Sequence, residues 1–185
     1  MSNPPTQPPA TSHPDITTRP ATTADAALVH ALTQAAFATL AGRIEPPSSA
    51  HRETMADVAE ALAGGGGGIA TVEGAAVGSV RFRPEPDHLY VGRVAVDPAQ
   101  RGRGVARALM AFAERETARL GLPETRVQVR RSLTGNVAMF ERLGYRVVDE
   151  QPHPNNPAAS VLTLAKAVGP VPGAVTVRAG ETVGD

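Results

Sequence analysis

The sequence predicts a single mixed α/β domain, and three observations carry that reading. Apolar residues recur at helical spacing in four stretches and at strand spacing in seven others, in the order β-α-α-β-β-β-α-β-α-β-β. A basic, glycine-rich loop, Arg101-Gly102-Arg103-Gly104, joins one of those strands directly to a helix. At 185 residues the chain is long enough for one substantial core with loose ends, placed here at 15–168.

Each element has its own signal. Met1 to Pro14 holds five prolines among small polar residues and is expected to be a disordered tail, because it has too little apolar surface to offset the cost of ordering. Ile16 to Arg19 reads as a short strand. Ala21-Thr22-Thr23-Ala24-Asp25 then caps a helix over 24–40, with Ala27, Leu28, Ala31, Leu32, Ala35 and Leu40 as its expected apolar face. The segment 42–49, with Pro46-Pro47, is a loop. A second helix follows over 50–63, with Met55, Val58, Ala59 and Leu62 inward. The five glycines Gly64 to Gly68 favour neither helix nor strand and read as a flexible turn.

Ile69 to Glu73 and Ala76 to Arg83 form a hairpin about Gly74-Ala75, and His88 to Val96 is a third strand closed by Asp97-Pro98. The helix over 105–120 turns Ala108, Leu109, Phe112, Ala113 and Leu120 inward and stops at Gly121. Thr125 to Arg131 alternates, with Val127 and Val129 on one face and Arg126, Gln128 and Arg130 on the other. A helix over 135–143 ends at Gly144, and Tyr145 to Asp149 is a strand. The Pro/Asn-rich 152–157 turns the chain into a last strand, Ser160 to Ala167. Gly169 to Asp185 reads as a flexible tail, with Ala174 to Val177 as an optional edge strand.

Composition excludes several classes of function. The formal charge is zero, so no global field points to nucleic acid or an anionic membrane. Seventeen of the eighteen basic residues are Arg, a bias shared with the abundance of Ala, Gly and Pro and typical of a GC-rich genome. No cysteine is present, which removes disulfides, thiolate metal sites and a Cys nucleophile. The histidines and acids show no metal-ligand spacing, and no metal is expected. No apolar run approaches membrane-spanning length and the N-terminus lacks an apolar signal core, so a cytoplasmic protein is expected.

The loop at 101–106 carries the chemistry. Free N–H groups at a helix start, with about half a positive charge from the helix dipole, suit a phosphate or pyrophosphate. Gly102 and Gly104 let the backbone close around the anion, and Arg101 and Arg103 add charge. A dinucleotide-binding unit is disfavoured, because the loop lies mid-chain after a run of strands and lacks the three-glycine fingerprint. A single Arg-Gly-Arg-Gly without interleaved aromatics also argues against nucleic acid.

At this loop the chain resembles the GCN5-related N-acetyltransferase (GNAT) superfamily. That family's coenzyme-A signature is Arg or Gln, two residues, Gly, one residue, then Gly or Ala, places filled by Arg101, Gly104 and Ala106. Val94-Ala95-Val96-Asp97-Pro98 resembles the strand that precedes it, and Asn136 to Tyr145 resembles a second signature: an Asn opening a helix, then a Gly followed by an aromatic. The resemblance implies a GNAT fold, with a mixed central sheet of about seven strands, a splayed parallel pair formed by strands four and five, and four flanking helices. It implies acetyl-CoA as co-substrate, with the pantetheine arm on the backbone of Val94, Ala95 and Val96. The pyrophosphate would lie on Arg101, Gly102, Arg103, Gly104, Val105 and Ala106, and Asn136 would contact the arm; its structural alternative is a helix N-cap, and one Asn can serve both.

The implied reaction is direct attack of a primary amine, on a small molecule or a protein, within a ternary complex. Many relatives carry a Tyr four residues after the Asn as general acid, whereas this chain has Phe140. Ser132 or a water is the substitute donor, and Tyr145 is expected in the core. Base candidates cluster before and in the third strand: His88 and Tyr90, then Glu85 and Asp87. Arg93 is expected to orient a substrate carboxylate or a neighbouring acid, or to lie exposed at an edge; Glu45, His51 and Glu53 are placed near the acceptor by analogy. A coenzyme-A-binding domain with little catalysis is the alternative, and a homodimer is left open.

Overall fold

The computed structural model describes residues 15–169. The two predicted tails and the optional strand at 174–177 lie outside the described residues, apart from Gly169. Among the described residues seven strands form one sheet in the order β1-β2-β3-β4-β5-β7-β6. They are β1 (Ile16–Pro20), β2 (Gly67–Val72), β3 (Ala75–Pro84), β4 (Leu89–Val96), β5 (Glu124–Arg130), β6 (Arg146–His153) and β7 (Asn156–Ala167). Four helices flank it: α1 (Ala26–Ala38), α2 (Met55–Gly65), α3 (Val105–Arg119) and α4 (Thr134–Arg142). No helix among the described residues is long and apolar enough to cross a membrane.

Only β4 and β5 pair in parallel; every other neighbour is antiparallel. Parallel strands need a crossover connection, and α3 supplies it. Its Leu109, Met110, Phe112 and Ala113 bury against Val80, Phe82, Val91 and Val127, forming the main core with Phe140, Tyr145 and Leu164. On the opposite face a smaller core joins Val29 of α1, Val58 and Leu62 of α2, and Ile69 of β2.

The element order agrees with the sequence reading, but several details differ. The buried face of α1 is Ala26, Val29, Leu32, Thr33 and Ala36, rotated from the expected one, and Leu28 is exposed. Alanines all round this helix leave the apolar stripe with little contrast. Met55 and Leu120, expected inward, are exposed. The β6–β7 hairpin is longer than predicted, with only Pro154 and Asn155 in its turn.

The glycine run is the largest correction. Gly64 and Gly65 finish α2, Gly66 caps it at φ +87°, and Gly67 and Gly68 open β2. A Cβ on Gly65 would stand 1.9 Å from the Phe82 carbonyl oxygen, and one on Gly68 would stand 2.6 Å from the Phe112 ring. These glycines are sites of close approach, where backbone fits against its neighbours without a side chain between them. Gly64 has nothing within 4 Å of its would-be Cβ. Urea denaturation should therefore give opposite signs within the run. Gly64→Ala gains about 0.5–1 kcal/mol from helix propensity. Gly65→Ala loses about 1–3 kcal/mol to overpacking, and equal midpoints would contradict this packing.

Candidate active site

The parallel pairing of β4 with β5 runs Leu89↔Thr125, Tyr90↔Arg126, Val91↔Val127 and stops there. Beyond it β5 keeps its ladder to β7 as far as Arg130↔Val161, and β4 keeps Ala95 and Val96 on β3. The two strands therefore part, and the β5-facing edge of β4 from Gly92 to Val96 has no strand partner among the described residues. Unpaired backbone of this kind needs another partner. The gap opens into a cleft of about 940 Å³, roofed by the α1–α2 segment, the loop before α3, and α4.

A bulge accompanies the parting. Ser79 pairs with Ala95 but Arg81 pairs with Gly92, so Arg93 and Val94 together oppose Val80. Arg93 sits at φ +53°, a left-handed conformation uncommon for a residue with a side chain. Its guanidinium is fixed. Nε and Nη2 donate to Glu53 Oε1 at 3.0 and 2.8 Å, and Nη2 donates to Ser49 Oγ at 2.7 Å, with the Phe37 ring 5.8 Å away. Arg81 Nη2 donates to both Glu53 oxygens at 2.8 and 2.7 Å. One carboxylate thus bridges two arginines and ties the segment before α2 to the bulge. Burial by itself would raise the Glu53 carboxyl, but the hydrogen bonds from Arg93 and Arg81 outweigh it and hold it below its ordinary value.

The glycine loop closes one end of the cleft. Gly102 and Gly104 have φ of +76° and +91°, and Gly104 is the N-cap of α3. A Cβ on Gly102 would meet nothing within 4 Å, so open space lies in front of that backbone. The donor set of free N–H groups, glycines and nearby arginines fits a pyrophosphate. The Arg101 side chain is spent differently from the expectation: it donates to the Ala36 carbonyl and Thr39 Oγ1, both at 3.0 Å, and so closes the C-terminal end of α1 onto the loop. Arg103 donates to Gln100 and does not line the cleft.

The remaining predicted residues divide. Val94, Val96, Val105, Ala106, Asn136, Tyr90 and Ser132 line the cleft, whereas Ala95 is buried on the β3 side. Asn136 lies in the first turn of α4 and is not its cap; that place belongs to Leu133, whose carbonyl accepts the Asn136 backbone N–H at 2.9 Å, while the Asn136 side-chain amide has no hydrogen-bond partner among the described residues. His88 lies apart, in the turn before β4. Its Nδ1 is 2.7 Å from Asp87, and it lines a separate groove of about 370 Å³ with Arg126 and Thr163, which shares Tyr90 and Gln128 with the cleft. Glu85 and Asp87 share that side, held by Arg83 and Arg126. Tyr145 is in the core as expected. Its hydroxyl donates to Glu114 at 3.1 Å, and burial, then the Glu114 charge, push the phenol above its ordinary value. Phe140 packs edge-on against it, with ring centroids 5.7 Å apart.

Sequence reasoning missed His153, at the end of β6, because a lone histidine beside a proline turn carries no pattern. Here it lines the cleft, and its Nδ1 accepts the Asn155 backbone N–H at 3.2 Å. Burial, then the charge of Arg130, lower its pKa, so the ring is neutral near pH 7 with the proton on Nε2. Its Nε2 N–H is a hydrogen-bond donor, and the Nδ1 lone pair that would take a proton is engaged by the Asn155 N–H.

The family model described as the acetyltransferase (GNAT) family matches residues 27–145. This chain belongs to the GNAT acetyltransferase family. An acetyltransferase of Pectobacterium atrosepticum is 33% identical over 81 residues, which are 44% of this chain and 57% of that protein. Among solved structures, the ribosomal-protein-S18-alanine N-acetyltransferase of Escherichia coli aligns with a TM-score of 0.67 at 17% identity, covering 87% of this chain and 99% of that one. An aminoglycoside 6'-N-acetyltransferase complexed with coenzyme A aligns with a TM-score of 0.65 at 16% identity, covering 84% and 99%. At those identities the likeness is one of fold. The GNAT sheet of seven strands with its β4–β5 parallel pair and four helices is the architecture found here.

The Glu53 bridge has a pH signature. Its folded-state pKa is depressed, so its stabilising contribution is present above the ordinary glutamate range and is lost as pH falls through the folded value. Wild type should lose stability on acidification below that range. Glu53→Gln should be less stable by about 1–3 kcal/mol at pH 7 and should lack that part of the acid-side loss. Parallel stability-versus-pH curves for the two proteins would contradict the assignment.

Proposed function

We propose that this chain is an N-acetyltransferase that moves the acetyl group of acetyl-CoA to the primary amine of a small molecule or protein by direct attack in a ternary complex. The observation that carries the reading is the parting of β4 from β5 between a bulge and a glycine-lined helix start. The open edge at Val94 and Val96 would receive the coenzyme arm as an added strand. The N–H groups from Gly102 to Ala106 would hold the pyrophosphate, and the free amide of Asn136 would reach the arm. The thioester, when bound, would supply an acyl carbon that an amine can attack: an N–C bond forms and the C–S bond breaks. The ammonium gives up one proton before attack and the nitrogen a second as the amide forms; the thiolate takes one and the other leaves to water.

The chain's own part is positioning and polarisation. A backbone N–H at the bulge, held in place by the Arg93–Glu53 network, would donate to the carbonyl oxygen, and donors of this kind are worth on the order of a hundredfold or more in rate. Among the described residues no Asp or Glu lines the cleft. The amine would therefore lose its proton to water, directly or by relay through the Tyr90 hydroxyl, and Ser132 or water would protonate the thiolate. An acceptor that must enter unprotonated gives kcat/KM that rises with pH up to the amine's own pKa.

Isothermal titration tests the site. Gly104→Glu should abolish acetyl-CoA binding, whereas Gly104→Ala, which carries the same backbone strain without the charge, should bind within about tenfold of wild type. Micromolar binding by Gly104→Glu would contradict the pyrophosphate seat. Phe140→Tyr should keep the fold and the acetyl-CoA affinity while raising turnover; an unchanged rate would mean that thiolate protonation does not limit it. Binding of acetyl-CoA with no thiol release on any amine would favour a coenzyme-binding domain without catalysis, the reading that Phe140 motivates.

A further inference from the structure

We propose that the acceptor is itself anionic, a small amine carrying a carboxylate or phosphate, selected by arginines at the acceptor end of the cleft. This rests on the acyl-CoA reading above. The chain's formal charge is zero, yet its charges are distributed unevenly. Seven arginines line the cleft. Of these only Arg93 has a carboxylate partner, Glu53; Arg43, Arg52, Arg101, Arg107, Arg130 and Arg142 have none within ion-pair distance among the described residues. Outside the cleft, six of the nine described arginines are paired, such as Arg19 with Asp25 at 2.7 Å and Arg119 with Glu116 at 2.8 Å. Framework arginines mostly have acids beside them, and cleft arginines mostly do not.

The unpaired arginines fall into two groups by element. Arg101 and Arg107 flank the glycine loop and the first turn of α3, and Arg142 lies on α4, the elements assigned to the coenzyme. Arg43 and Arg52 belong instead to the α1–α2 segment, whose Ser49 and Glu53 hold Arg93, and Arg130, at the end of β5, donates to that same segment. The coenzyme's charges are on its phosphates, while its pantetheine arm and thioester are neutral. Coenzyme binding therefore does not account for this second group.

Arg130 donates to the Glu45 and Pro46 carbonyls at 3.3 and 3.1 Å, contacts that position the guanidinium without neutralising it; the Glu45 carboxylate acts on it only through space. His153 adds a neutral N–H donor beside it. A concave site lined by one sign of charge focuses its field, attracting an oxyanion and repelling a polycation. Guanidinium also matches carboxylate and phosphate geometry bidentately. The like charge lowers the pKa of an entering ammonium, which aids a reaction that must begin from the free amine.

The test is a thiol-release assay with acetyl-CoA over the amino acids, phosphoethanolamine, spermidine, an aminoglycoside and tryptamine, run beside titration of acetyl-CoA alone. The expected result is kcat/KM at least about tenfold higher for anionic amines than for cationic or neutral ones. Arg52→Ala and Arg43→Ala should each raise KM for the best anionic acceptor by about tenfold while the acetyl-CoA Kd stays within about twofold. A preference for cationic or neutral amines, or no turnover of anionic amines with acetyl-CoA bound, overturns the inference and leaves the coenzyme site standing. Failure of acetyl-CoA to bind overturns the coenzyme site, and this inference with it.

Discussion

The break in pairing after Val91 and Val127 is the constraint on which the rest of the site depends. A parallel pair held together along its full length would leave no cleft, no open backbone edge on β4 and no path for a ligand between α3 and α4. The break persists because each strand is satisfied elsewhere: β5 by β7 up to Arg130, and β4 by β3 through the bulge at Arg93 and Val94. Both strands lose only the partner that the cleft replaces.

Holding a non-glycine residue at φ +53° costs free energy, of the order of 1–3 kcal/mol, and something must over-determine it. Glu53 does so from the segment before α2 by accepting from Arg93 and Arg81 together. Stability and function meet at this carboxylate. It fixes the backbone expected to polarise the acyl group, and it neutralises a cleft arginine that would otherwise add to the field at the acceptor end. The arginines left unpaired can then act on ligands.

Much of the fold was legible in the sequence, because strand alternation, helix stops at Gly121 and Gly144, and the loop at 101–104 are local signals. The misreadings have physical causes. Alanine-rich α1 gave too little contrast to place its buried face. Gly65 and Gly68 are required by backbone and ring atoms from β3 and α3, which no local window contains. The glycine loop itself was legible because its glycines stand at a fixed spacing just before a helix, and the structure places Gly104 as the cap of α3. Glu53 and Arg93 stood out separately, but the bridge from Glu53 to Arg93 and Arg81, the contact of Arg130 with the Glu45–Pro46 backbone and the place of His153 in the cleft join segments far apart in the chain, which only the folded protein brings together.

If the parted strands and the glycine loop together form one acyl-CoA site, one ligand must perturb both at once. An amide-resolved NMR titration with acetyl-CoA tests it most directly. The largest and jointly saturating shifts should fall on the backbone amides of Gly92 to Val96 and Gly102 to Ala106, with Asn136 following the same isotherm. Shifts centred instead on the His88, Arg126 and Thr163 groove, or shifts in the glycine loop with none in β4, would contradict it.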